Sequence, residues 1–299
     1  MNKLRFSLFI GTTLLVSLAL CSTAQAQNRV FVSGVGNDVN PCSRTAPCRN
    51  FQRAHDVVAA GGEVVALDPA GYGAVTITKS LTITGEGTYA GITVASGNGV
   101  TINSATAVVV LRNLSISGLG TATNGILVTD AAALDVENCI IQRFSAQGLN
   151  VALTANSNIQ TFVKDTVMRN TGENAIQSGK AVFENCRIEK GNTDGLFVKN
   201  GARVNIHNCV IAGHNVGLDV EDPGSQVMVD ECQIFNNTIG IRSDMMAQVR
   251  VSNSNITRNG TGLAIGTGSI LSRTAGGAVT NTLEDNTTNG AFSALYTAK

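Results

Sequence analysis

A repeat of 20 to 27 residues runs through most of this 299-residue chain and constrains its fold more than any other feature. It shows in Asn138-Cys139-Ile140-Ile141, Asn185-Cys186-Arg187-Ile188, Asn208-Cys209-Val210-Ile211 and Glu231-Cys232-Gln233-Ile234. Degenerate copies are Asn113-Leu114-Ser115-Ile116, Asp165-Thr166-Val167-Met168 and Asn253-Ser254-Asn255-Ile256. The second position recurs at 114, 139, 166, 186, 209, 232 and 254, with spacings of 25, 27, 20, 23, 23 and 22. A second element runs in phase, in Gly125-Ile126-Leu127-Val128, Gly148-Leu149-Asn150-Val151, Gly195-Leu196-Phe197-Val198 and Gly217-Leu218-Asp219-Val220. Gly240-Ile241-Arg242-Ser243 and Gly262-Leu263-Ala264-Ile265 continue it. A period of this length marks a chain built by stacking one supersecondary unit on the next.

Each repeat holds three short alternating stretches, such as Val204-Asn205-Ile206, Cys209-Val210-Ile211 and Leu218-Asp219-Val220. Alternation predicts strands with one buried face. The inward phase slips between Ile206 and Cys209, which requires a bend at Asn208. Three strands per turn, joined by bends, describe an all-β right-handed parallel β-helix. Successive turns stack about 4.8 Å apart, and residues 75–290 provide roughly nine of them. A leucine-rich repeat needs further leucines that are missing, and a Trp-Asp propeller is hard to reconcile with a chain that has no Trp.

The bend residues should stack in a ladder. Asn138, Asn185 and Asn208, read as pointing inward, would bond the backbone and one another. Cys186, Cys209 and Cys232 fall in adjacent turns and should stack inside the core. In-register side chains point the same way, so these thiols are expected to be free and inert. Cys42 and Cys48 flank a short loop with two prolines, and a disulfide is expected between them.

Residues 1–26 read as a secretory signal peptide. Lys3 and Arg5 precede an apolar stretch at 6–20, too short to span a bilayer comfortably, and Ala24-Gln25-Ala26 is a small-x-small cleavage site. The protein is therefore expected to be exported, periplasmic or extracellular, with no membrane span. Without Lys3 and Arg5 the chain carries 19 basic and 21 acidic residues, which argues against nucleic acid as a partner. Residues 27–74 read as an N-terminal capping segment with a short helix at 50–60. Residues 75–299 read as the β-helix, with a C-terminal cap from 286 onward.

The entry segment, Val32-Ser33-Gly34-Val35-Gly36-Asn37-Asp38 through Gly61-Gly62-Glu63-Val64 and Pro69-Ala70-Gly71-Tyr72, resembles that of secreted bacterial β-helix proteins. The repeats resemble those of the pectin-lyase-like superfamily, over nearly all of the chain beyond the leader. That superfamily includes polysaccharide lyases, epimerases, glycoside hydrolases, adhesins and tailspikes, so the resemblance implies a fold more than an activity. Asn192-Thr193-Asp194-Gly195 resembles the first acidic motif of polygalacturonases, but the motifs that follow it there are absent here.

The residues themselves single out one face. Phe197, Asp219 and Arg242 occupy the outward position of the Gly-Leu-x-Val strand in successive turns, with Lys199, Glu221 and Asp244 two residues further on. Asp219 should neighbour Arg242, and Lys199 should neighbour Glu221. Asp194, Lys199, Asp219, Glu221 and Arg242, with His214 in a nearby loop, are the candidate catalytic residues. The expected function is presentation of a rigid polar face to extracellular polysaccharide, acidic or from the cell envelope. A lyase, epimerase or hydrolase and a non-catalytic adhesion or envelope protein are the alternatives. No cofactor is expected; a calcium site built from Asp and Glu of neighbouring turns stays open as an alternative, although no run of alternating aspartates announces one.

Overall fold

The computed structural model describes residues 27–152, 158–274 and 281–296. The leader expected over 1–26 lies outside them. Strands of successive turns pair in parallel, and the chain winds as a right-handed β-solenoid of about ten turns. One turn consists of Arg203–His207, Val210–Ala212 and Val216–Val220. Strands of the first kind stack into a long sheet of twelve among the described residues, from Gln27–Val32 to Ala294–Tyr296. The second and third kinds make the other two faces. These faces join where Ile140–Val151 and Val167–Ile176 run round the corner as unbroken strands.

The turn count exceeds the sequence expectation because the solenoid begins before residue 75. Val58–Ala66 already pairs with Leu81–Gly85, placing Gly62 opposite Leu81. At the other end Ala294–Tyr296 pairs with Ile270–Thr274 and so returns to the long sheet. The helix is shorter than expected, Phe51–Val57, because Val58 turns extended and opens a strand that contains Gly61 and Gly62. Phe51, Ala54 and His55 on the helix are buried. Phe51 also packs on Tyr72 with ring centroids 4.9 Å apart. Asp68 ties this end together, accepting hydrogen bonds from Ser33 Oγ at 2.6 Å and Tyr72 OH at 2.7 Å. Cys42 and Cys48 form the expected disulfide.

The core is a set of inward lanes. Met168, Ile188, Ile211, Ile234 and Ile256 lie one above the next and are 0% exposed. Burying each such side chain contributes about 1.5–3 kcal/mol, and only the adjacent turns make that burial available.

The bend ladder differs from expectation in direction. Asn138, Asn185 and Asn208 have φ of 49°, 54° and 50°, the left-handed region that Asn tolerates better than most residues. In this corner the side chain of the bend residue lies outside, and Asn138, Asn185 and Asn208 are exposed. The amide rungs still form there. Asn208 Nδ2 donates to Asn185 Oδ1 at 2.8 Å, and Asn138 Nδ2 donates to Asn113 Oδ1 at 2.7 Å.

The next residue takes the interior slot. Cys139, Cys186, Cys209 and Cys232 are free and buried. The Cys186 N–H donates to Cys209 Sγ at 3.3 Å, and the Cys232 N–H donates to Ser254 Oγ at 3.0 Å. Burial pushes the Cys139 thiol up to about 12, which keeps it protonated and unreactive.

Candidate functional site

The third face is built from Asp194–Val198, Val216–Val220, Ile239–Ser243 and Thr261–Ile265. Its glycines are dictated by close approach. A Cβ on Gly217 would lie 2.7 Å from the Gly240 carbonyl oxygen and 2.9 Å from Asn237 Nδ2. Leu218 and Val220 point inward, which turns Asp219 outward.

Strand register places Phe197 beside Asp219, and Asp219 beside Arg242. Asp219 is only 1% exposed although it points outward, because these two neighbours flank it. Arg242 grips it in a fork, with Nε donating to Oδ1 at 2.7 Å and Nη2 donating to Oδ2. The same Nη2 reaches Glu221 Oε1 at 3.4 Å. Lys199 does not pair with Glu221 as expected. Its ammonium lies 4.8 Å from the centre of the Phe197 ring, a cation–π contact along its own strand.

Asp194 opens its strand half-buried. Burial first, then the negative charges of Asp219 and Glu173, raise its carboxyl to about 7. Burial and Asp219 also raise Glu221. Arg242 is held charged chiefly by its hydrogen bond to Asp219. The face therefore concentrates carboxyl groups around one guanidinium, with one carboxyl poised to hold its proton at neutral pH.

The chain's relatives are recognisable at this point. The family model described as right handed beta helix region matches residues 125–298. The chain belongs to the right-handed β-helix family. Among solved structures, the β-helix resembles pectate lyase Pel9A with a TM-score of 0.64 and 14% identity, over 89% of this chain and 79% of that one. It also resembles the enzymatically active domain of tailspike protein 2 of bacteriophage CBA120, with a TM-score of 0.57 and 15% identity. That match covers 76% of this chain and 39% of the tailspike chain. No curated protein matches the sequence. At these identities the likeness is one of fold.

Within this β-helix, Asp194, Lys199, Asp219, Glu221 and Arg242 share the face. His214 does not. It is 5% exposed and points into the solenoid rather than a surface loop. Its Nδ1 accepts the Gly191 N–H at 3.2 Å and its Nε2 faces the Ile188 carbonyl at 3.1 Å. Burial lowers its pKa, so the ring is neutral, with the proton on Nε2.

This bonding assigns His214 to an inner ladder that sequence reasoning missed. One turn on, Asn237 Oδ1 accepts the His214 N–H at 3.0 Å while its Nδ2 donates to Ile211 O at 3.3 Å. Asn259 and Asn286 repeat the pattern. The signal was present as a residue three positions after each inward Ile or Leu, at 214, 237, 259 and 286. Asn-x-x-Gly reads more readily as a turn.

The guanidinium of Arg242 takes both oxygens of Asp219. Among the described residues, no group of three or more His, Cys, Asp or Glu converges to hold a metal. No helix among them is long and apolar enough to cross a membrane.

Proposed function

We propose that this chain is an exported β-helix protein whose Gly-Leu-x-Val face engages extracellular polysaccharide. The observation that carries the reading is the gathering of Asp194, Asp219, Glu221 and Arg242 beside the Phe197–Lys199 pair on one rigid surface. Fixed carboxylates accept hydrogen bonds from sugar hydroxyls, Arg242 donates, and the Phe197 ring offers an apolar platform for a sugar face. Carboxyl groups outnumber cations here, so the face suits a hydroxyl-rich glycan better than an acidic one. The likeness in fold to a pectate lyase supports a glycan as the ligand class. The Cys42–Cys48 disulfide and the leader pattern at 1–26 support export.

The test is binding of neutral and acidic polysaccharides to the wild type and to Phe197→Ala and Asp194→Asn, with folding checked by circular dichroism. Loss of neutral-glycan binding in both variants is expected. Unchanged binding in both would remove this face from the function. A second reading rests on Asp194, whose value near 7 suits a general acid. Product formation, followed as reducing ends and as the ultraviolet absorbance of unsaturated sugars, separates the readings. Reducing ends alone mark hydrolysis, both signals mark elimination, and neither leaves a binding protein.

A further inference from the structure

The long sheet carries a second surface, apart from the Gly-Leu-x-Val face. A shallow groove of about 310 Å3 crosses its outer side, over the strands from Gln160–Lys164 to Gln248–Ser252. Register puts Gln160, Lys180, Arg203, Gln226 and Gln248 in one continuous row. The parallel row two residues along brings Arg250 into the groove through Asn205 and Met228.

The chemistry of the groove is one-sided. Lys180, Arg203 and Arg250 line it, and no carboxylate does. Lys180 and Arg203 make no ion pair or side-chain hydrogen bond among the described residues, and Arg250 contacts only the Tyr296 ring, at 5.8 Å. Of the acidic groups nearest the groove, Asp135 shares the Arg250 row but lies one turn before Phe162, outside the lining, while Glu184 and Asp230 stand one row further on and have partners. Glu184 pairs with Lys164 at 3.2 Å, and Asp230 pairs with His207 at 3.3 Å. In a chain whose basic and acidic residues are equal in number, three cations without acidic partners in one groove are a local excess.

We propose that this groove is a non-catalytic binding track for an acidic polysaccharide carrying uronate carboxylates. Lys180 and Arg203 sit one turn apart and Arg250 two turns beyond, so the cations span roughly 15 Å along the axis at about 4.8 Å per turn. That is the length of a short run of extended chain. The guanidinium fork of Arg203 matches a carboxylate. Gln160, Gln226 and Gln248 provide amide donors and acceptors for hydroxyls between the charges, and exposed Met228 gives an apolar contact. Cations on only some turns suit intermittent monovalent carboxylates better than a phosphate on every unit. Nucleic acid would need more phosphate contacts than three cations supply.

The test is affinity electrophoresis and titration of the exported chain with polygalacturonate, dextran sulfate and duplex DNA, at matched charge concentration and two salt levels. Tightest binding to polygalacturonate is expected. Lys180→Gln/Arg203→Gln should bind roughly tenfold more weakly, the equivalent of about 1.4 kcal/mol. It should also show a shallower salt dependence, because counterion release falls with each cation removed. Both substitutions lie on an exposed row, and thermal unfolding checks that the fold is kept. Lys180→Gln/Arg203→Gln should leave neutral-glycan binding unchanged, which separates this site from the face proposed above. Wild-type affinity in the double variant, or equal or tighter binding of dextran sulfate or DNA, would overturn the proposal. So would an absence of polygalacturonate binding by the wild type.

Discussion

His214 does with an imidazole what Asn237, Asn259 and Asn286 do with an amide. It accepts a backbone N–H on one atom and donates to a backbone carbonyl on another. The slot before it is Gly191, where a Cβ would stand 2.5 Å from His214 Nδ1, so the larger ring is accommodated by its neighbour's missing side chain. Burial lowers the His214 pKa from 6.5, so the unfolded chain takes up a proton that the folded chain refuses. Stability should therefore fall as pH drops below about 6.5. His214→Asn keeps both bonds and should abolish this acid sensitivity in urea titrations at pH 7 and pH 5. His214→Ala strands two buried backbone groups and should cost about 2–4 kcal/mol at pH 7, and less at pH 5, where the wild type has already lost part of its stability.

Asp194 titrates with the opposite sign. Its folded value near 7 lies above the ordinary 3.8, so the folded state holds the proton more tightly and stability declines as pH rises across that window. Asp194→Asn should be the more stable protein at pH 8, by on the order of 1–2 kcal/mol once solvent screening is allowed for, and should lose the advantage at pH 4. Equal pH profiles for the two proteins would refute the assignment.

At the scale of the element, the turn depends on a left-handed corner and a glycine. Glu231 holds φ 54° at a corner where neighbouring turns use Asn208 and Asn253. Glu231→Asn should stabilise by up to about 1 kcal/mol, since the left-handed region penalises most side chains and Asn least. Chemical denaturation would show this as a higher midpoint at unchanged slope. In the strand Val216–Val220, Gly217→Ala presses a methyl group onto the Gly240 carbonyl and the Asn237 amide. Both atoms belong to the next turn and cannot retreat without breaking the inner ladder. That variant should lose about 1–3 kcal/mol by the same measurement.

At the scale of the whole molecule, the solenoid is a one-dimensional stack, and its ends decide where it opens. The helix Phe51–Val57 covers the first turns, and Phe51 is fully buried against Tyr72. Phe51→Ala should cost about 3–5 kcal/mol. Its hydrogen-exchange protection should fall first in Gln27–Val32 and Val58–Ala66, while Val216–Val220 remains protected. Uniform loss along the rod would mean that the turns unfold as one unit. The two outer surfaces are then presented at fixed separation by a scaffold whose turns are only weakly charged.

The sequence by itself determined the repeat, the strands, the inward lanes and the pairing of Asp219 with Arg242. Those follow from parallel register, which puts residue i beside its counterpart one period later whatever the side chains are. Three matters were decided only by the tertiary structure. The corner turned Asn138, Asn185 and Asn208 outward and gave the interior to cysteine, because a left-handed residue reverses which side its Cβ faces. Lys199 went to Phe197 and Glu221 to Arg242, because a period positions Cα atoms while long flexible side chains choose partners by local competition. His214 entered the core because its polar atoms could meet the same two backbone groups as an asparagine, an equivalence that appears only when neighbouring turns are stacked.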